Sequence, residues 1–171
     1  MLNYKNIITD FETLAKEHMQ INSFGTGDIT QLIYWTQQID GQENTKNEPP
    51  VYPLMYVIPS NATRDENFIT YNFNVIIADI MDTKTSYDIQ TDLYSDTLQI
   101  AEDILAQFKY SVTAAQGDYE SKYDITLPTN IQSFNEAYDD NLVGWNIDLA
   151  IVVDSPLNRC IAPYKPFNNL P

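Results

Sequence analysis

The sequence predicts an α+β domain: a mainly antiparallel sheet of about five strands, two amphipathic helices packed on one face, and an extended C-terminal arm. Three observations carry that prediction. Leu142 to Val153 alternates, with Val143, Trp145, Ile147, Leu149, Ile151 and Val153 on one side and Gly144, Asn146, Asp148 and Ala150 on the other. This is the two-residue period of a long strand with one buried face. Phe68 to Met81 repeats the pattern, with Ile69, Tyr71, Phe73, Val75 and Ile77 facing away from Thr70, Asn72 and Asn74. Residues 3–20 and 87–108 instead place apolar side chains at three- and four-residue steps, the period of a helix.

In chain order, the first helix spans Asn3 to Gln20 and buries Tyr4, Ile7, Ile8, Phe11, Leu14, Ala15, His18 and Met19, with Asn3 as its N-cap. Ser23-Phe24-Gly25-Thr26-Gly27-Asp28 reads as a tight reversal, and Ile29 to Thr36 as a strand. Gln37 to Pro50 is a long polar loop suited to partner contacts. Pro53 to Ile58 is a short apolar strand, and Pro59 to Asn67 a hairpin connection into the strand at Phe68. That strand turns apolar on both sides at Ile76, Ala78 and Ile80, which predicts cover on both faces there.

Asp82, Thr85 or Ser86 caps the second helix. One of its stripes holds Tyr87, Tyr94, Leu98, Ala101, Leu105 and Phe108, and a second beside it holds Ile89, Leu93, Ile100 and Ile104. Together they are broader than a surface helix needs. Ser111 to Asp124 is a connection. Ile125 to Asn135, interrupted by Pro128, is the broken first arm of a hairpin. Tyr138 to Asn141 supplies its turn, and Leu142 to Val153 is the second arm. Beyond Asp154, four prolines interspersed with Leu157, Ile161, Tyr164 and Phe167 predict an extended arm on its own domain or a neighbour. The domain therefore covers residues 1–154 and the arm 155–171.

Composition narrows the function. The chain has 24 acidic and 9 basic residues, a net charge of −15. Arg64 and Arg159 are its arginines, and the cations are scattered. Gripping nucleic acid by its phosphates needs clustered cations, so that class is disfavoured. The N-terminus lacks a basic and apolar leader, and no run approaches a membrane span, so a soluble protein made in a cytoplasm is expected. Asn61-Ala62-Thr63 is then a coincidental sequon. Cys160 stands alone and forms no disulfide or cysteine-based zinc site within the chain.

The chemical motifs are thin. His18 has no second histidine or cysteine to work with and reads as a half-buried core residue. Gly25 and Gly27 lack the third glycine, preceding strand and following helix of a dinucleotide loop. Asp79, Asp82, Asp88 and Asp92 evoke a metal or acid–base cluster. They are better explained as acids near a helix start on a solvated face. The expectation is a non-enzymatic protein with no cofactor and no metal.

Several stretches together resemble one family. They are the N-terminal helix followed by Phe24-Gly25-Thr26-Gly27-Asp28, then Tyr52-Pro53-Leu54-Met55-Tyr56-Val57-Ile58-Pro59. A long strand ending in Asp79, the long helix, and Asp140-Asn141-Leu142-Val143-Gly144-Trp145 complete the set. Over residues 1–154 the chain resembles the tail-terminator or tail-completion proteins of tailed bacteriophages and the related head-to-tail neck connectors. The loop at 37–50 and the proline-rich tail depart from that pattern. The resemblance implies a homo-oligomeric ring in the virion, with the hexamer favoured and the dodecamer of portal-matched connectors as the alternative. Such a ring closes the tail tube or joins it to neck and portal proteins, and passes DNA without binding it.

Two features of the sequence fit such a ring. A cyclic assembly needs different sticky surfaces on its two flanks, and Ile89, Leu93, Ile100, Tyr164 and Phe167 are the expected subunit contacts. DNA slides past a wall poor in lysine and arginine, and Thr70, Asn72, Asn74, Asn146 and Asp148 are the expected lumen-facing or assembly face. The competing classes are an acidic binding module that mimics DNA charge and a small carboxylate-based hydrolase.

Overall fold

The computed structural model describes residues 3–36, 49–81, 87–110, 112–115, 118–121, 124–136 and 142–157. Asn3 caps α1 (Tyr4–Glu17): its side chain accepts from the Asn6 amide while its own amide donates to Asn6 Oδ1, each at 3.1 Å. Ile7, Phe11 and Ala15 line the buried face of α1. The helix stops at Glu17, with His18 as C-cap, so Met19 is fully exposed rather than buried.

After β1 (Ser23–Thr26) comes α2 (Ile29–Thr36), a helix where the sequence suggests a strand. The eight residues carry β-branched side chains, but Leu32 and Trp35 lie one helical turn apart and meet the sheet together. The strand β2 (Leu54–Arg64) is also longer than expected. It continues past Pro59 by absorbing a bulge between Pro59 and Ala62, which leaves only Asp65 to Asn67 as the turn into β3 (Phe68–Ile80). The bulge lets proline sit in a long strand despite its missing donor.

The long helix α3 (Tyr87–Lys109) matches the prediction closely. The segment expected to be a plain connection holds a hairpin of its own, β4 (Val112–Ala115) with β5 (Asp118–Ser121). The broken arm is confirmed as β6 (Asp124–Ile125) and β7 (Asn130–Glu136), both paired to β8 (Leu142–Asp154) with Pro128 in the gap between them. The expected turn at residues 138–141, the loop at 37–48, Asp82 and Cys160 fall outside the described residues.

The main sheet has six strands, ordered β1-β2-β3-β8 with β6 and β7 together along the far edge. Every pairing is antiparallel except β1 with β2. The expected α+β class therefore holds, and among the described residues the main sheet has one more strand than anticipated, beside the extra β4–β5 hairpin and one more helix.

Two cores result. On one face α1 and α3 cover the sheet, and Phe11 bridges them, 5.4 Å from Phe73 and 4.5 Å from Phe108 between ring centroids. Val57, Val75, Ile77, Ile147, Leu149 and Ile151 complete this layer. Trp145 joins α3 from the same side, its indole N–H donating to Tyr94 O at 2.8 Å. Across the sheet, Leu32 packs on Leu54, Tyr56 and Ala78, with Trp35, Ile76 and Phe134 around them. The expected cover on both sides holds at Ile76 and Ala78, where α2 is the cover, and fails at Ile80, which stays exposed.

Ile100, expected as a subunit contact, is fully buried in the first core and unavailable to a neighbour. Ile89 is half exposed and Leu93 partly buried. Past β8, the Ser155 and Leu157 amides donate to Asn67 O and Glu66 O at 2.7 and 2.9 Å. The Arg64 guanidinium donates to Ser155 Oγ at 3.1 Å and also to Ser155 O. The first residues after β8 therefore lie on the domain's own hairpin, while Tyr164 and Phe167 fall outside the described residues.

Gly144 of β8 lies against the β3 backbone at Ile77 and Ala78. A Cβ there would come within 2.0 Å of the Ile77 carbonyl oxygen. Gly144→Ala is expected to cost about 3 kcal/mol of stability through this backbone overlap, read from the urea midpoint at unchanged m-value.

Candidate functional site

The β3–β8 register decides what the polar residues form. Thr70 lies opposite Val152, Asn72 opposite Ala150, Asn74 opposite Asp148 and Ile76 opposite Asn146. All five expected residues therefore share one sheet face, the face turned away from α1 and α3. Thr70, Asn72, Asn74 and Asn146 are partly exposed, and Asp148 is exposed. No lysine or arginine occurs in β3, β7 or β8.

The strand β7 widens this face. Asn130 aligns with Asp148 and Gln132 with Asn146. The Asn130 side-chain Nδ2 donates to Asp148 Oδ2 at 2.9 Å, and the Thr129 hydroxyl donates to Asp148 O at 2.6 Å. Asn130 and Gln132 are members that sequence reasoning missed. Their polar alternation with Ile131 was the available signal, but Pro128 obscured which side of the break pairs with which part of β8.

The face has two parts. Its polar end runs from Thr70 to Asn74 and from Asp148 to Ala150. At the other end α2 sits on Ala78, Tyr56 and Leu54. Asn146 is at the boundary, and its buried Oδ1 has no hydrogen-bond partner among the described residues.

The other sequence candidates resolve structurally. Gly25 and Thr26 lie inside β1, and α2 follows Gly27 and Asp28, so a strand and a helix do flank the second glycine. The donors there are nevertheless used: the Gln31 amide donates to Asp28 Oδ1 at 2.8 Å, the Asp28 amide to Gln31 Oε1 at 3.1 Å, and the Gly27 amide to Val57 O at 3.2 Å. Asp28 also sets a carboxylate where an anion would sit. Both glycines serve packing instead. A Cβ on Gly25 would strike Trp35 and Tyr56, and Gly27 has a φ of +155° and abuts Gln31.

His18 ties two helices. Its Nδ1 accepts from the Gln20 amide at 3.2 Å, and Nε2 faces Asp103 of α3 at 3.4 Å. This is the structural role expected of it. Asp88 and Asp92 are exposed along α3, and among the described residues no three His, Cys, Asp or Glu side chains converge to hold a metal.

Among the carboxylates of the described residues, Asp79 has its pKa raised. Burial raises its pKa, the Ile80 amide at 2.7 Å partly opposes this, and the nearby Asp96 charge raises it further. Burial and then Asp28 also raise the Tyr56 phenol, whose hydroxyl lies 3.4 Å from Asp28 O.

A carboxyl whose folded pKa lies above its unfolded value favours the fold below the unfolded pKa and loses that contribution as pH rises through the folded one. Asp79→Asn keeps the acceptor for Ile80 and removes the charge. The variant is expected to be more stable than the parent at neutral pH, with the advantage disappearing below about pH 4, near the ordinary aspartate value. Thermal melts across that range check the sign. No family model matches the chain, and no curated protein is significantly similar to it.

Proposed function

We propose that this protein is a non-enzymatic structural subunit of a tailed-bacteriophage virion. In this reading it assembles with copies of itself into a ring, hexameric rather than dodecameric, at the tail or neck. The ring closes the tail tube or joins it to the head, and DNA passes through it. The family resemblance of residues 1–154 suggests this role, and one observation supports it best. The sheet presents a broad face of short neutral side chains, Thr70, Asn72 and Asn74 on β3 with Asn130 and Gln132 on β7. Asp148 is the only ionised group among the residues aligned with them on β8 from Asn146 to Val152.

Such a wall suits a channel for a polyanion. Each lysine or arginine on a DNA path adds a phosphate contact that must be broken for the duplex to move. A carboxylate repels phosphate, and an asparagine offers no net charge. In a chain of net charge −15, the reading assigns this face to the lumen, with the helical layer of α1 and α3 outside.

Native mass spectrometry with electron microscopy of the purified protein tests the ring. Sixfold particles about a central opening are the expected outcome, and the protein should not retard duplex DNA even at low salt. A monomer that binds a basic protein in a salt-sensitive manner would favour the acidic binding module instead. Asn72→Lys with Asn74→Lys leaves the core untouched, yet should convert the ring into one that retards DNA. That retention should fall steeply between low and moderate salt, as binding through several phosphates does.

A further inference from the structure

The sheet has two edges, the four-residue β1 and the longer β7, and neither carries lysine, proline or charge over Ser23–Thr26 or Asn130–Asn135. Proteins blunt an edge with lysine, proline, a bulge or an inward charge, because unpaired backbone groups otherwise recruit another strand. Over Asn130 to Asn135, β7 has none of these. Its pairing with β8 runs without a register shift from Asn130–Asp148 to Glu136–Leu142. Among the described residues β8 is its one strand partner. Asn130, Gln132, Ser133 and Asn135 are exposed, so this edge is reachable.

At the opposite end of the sheet, β1 pairs only with β2 among the described residues. It too is uncharged, as is the whole run from Met19 to Gly27, with Thr26 exposed. On the β7 side the uncharged run extends from Ile125 to Asn135.

We propose that β7 is an assembly edge that takes the β1 edge of a second copy of this chain, so that the sheet continues from subunit to subunit through backbone hydrogen bonds. Charge argues for the copy and for these two edges. Copies of net charge −15 repel one another across most of their surface. Both edge strands are free of charge until Glu136 at the very end of β7. Backbone pairing itself carries no net charge, so strand addition suits like-charged partners. The choice of β1 rather than a second β7 rests on the proposed ring. Two β7 edges meeting across a twofold axis stop at a dimer, whereas β7 to β1 is a head-to-tail contact that repeats and closes.

The inference assigns the two sheet edges to the assembly and supplies the subunit contact that Ile100, buried in the core, cannot.

Single cysteines in a Cys160→Ser background, joined by a short bis-maleimide, test it. Thr26→Cys and Ser133→Cys both lie at exposed positions. Mixed together they should cross-link into dimers, while either variant alone should not. One chain carrying both cysteines should give a ladder ending at the closed ring. Cross-linking of Ser133→Cys with itself would mean a twofold β7 contact and overturn the proposal. Rings seen by microscopy with no mixed cross-link would overturn the edge pairing and leave the ring reading intact. Mixed cross-links forming only open chains would support the edge pairing and count against the ring. Ser133→Asp, placed on the exposed edge, should abolish the assembled species while the circular dichroism spectrum stays unchanged; persistence of the assembly would also refute the pairing.

Discussion

The antiparallel pair of β3 and β8 is the constraint on which the rest of the structure depends. Two thirteen-residue strands run in unbroken register from Phe68–Asp154 to Ile80–Leu142. A side-chain period of two makes such a pair unforgiving, because a slip of one residue would exchange its faces. Val75, Ile77, Ile147, Leu149 and Ile151 would then meet water, and Asn72, Asn74 and Asp148 would be buried. Gly144 belongs to the same constraint, since it admits the approach of the Ile77 carbonyl. The other strands of the main sheet add to the two sides of this pair, and α1 and α3 close over the face it defines.

The pair also makes the two faces unequal in kind. Aromatic and aliphatic packing around Phe11, Phe73 and Phe108 uses the first face fully. The second is divided between an apolar end under α2 and a polar end of hydroxyl and amide side chains. That division lies within single strands. Along β3, side chains on the second face change from Thr70, Asn72 and Asn74 to Ile76 and Ala78 over a few residues. A face that is neither core nor strongly charged suits contact with something hydrated, and the proposed role gives it passing DNA. The uncharged edges of the same sheet suit contact with another copy. Lumen and subunit junction would then be two surfaces of one sheet.

Much of this was legible from residue order. The long strands, the long helix, the Asn3 cap and the break at Pro128 follow from periodicity and local backbone chemistry, which act over a few residues. The polar face was legible because alternation assigns a strand's side chains to faces before its partners are known. Ile29 to Thr36 reads as a strand in the sequence because seven of its eight residues are apolar or β-branched and satisfy either period, and intrinsic preference is weak over so short a run. The strand beyond Pro59 was misread because proline signals a stop, and a bulge hides that signal. Ile100 was assigned to a subunit contact because a broad apolar helix face looks the same whether its own domain or a neighbour covers it.

Local pattern therefore established the α+β class, the inward faces and the anionic character of the chain, since each depends on neighbours along the backbone or on composition. Register and pairing between distant segments lay beyond it. The alignment of Asn74 with Asp148, the enlistment of Asn130 and Gln132, the seat of α2 and the choice of edge strands all join residues far apart in sequence. They are set by which packing excludes the most apolar surface while pairing the most backbone groups, a sum over the whole chain that no single stretch contains.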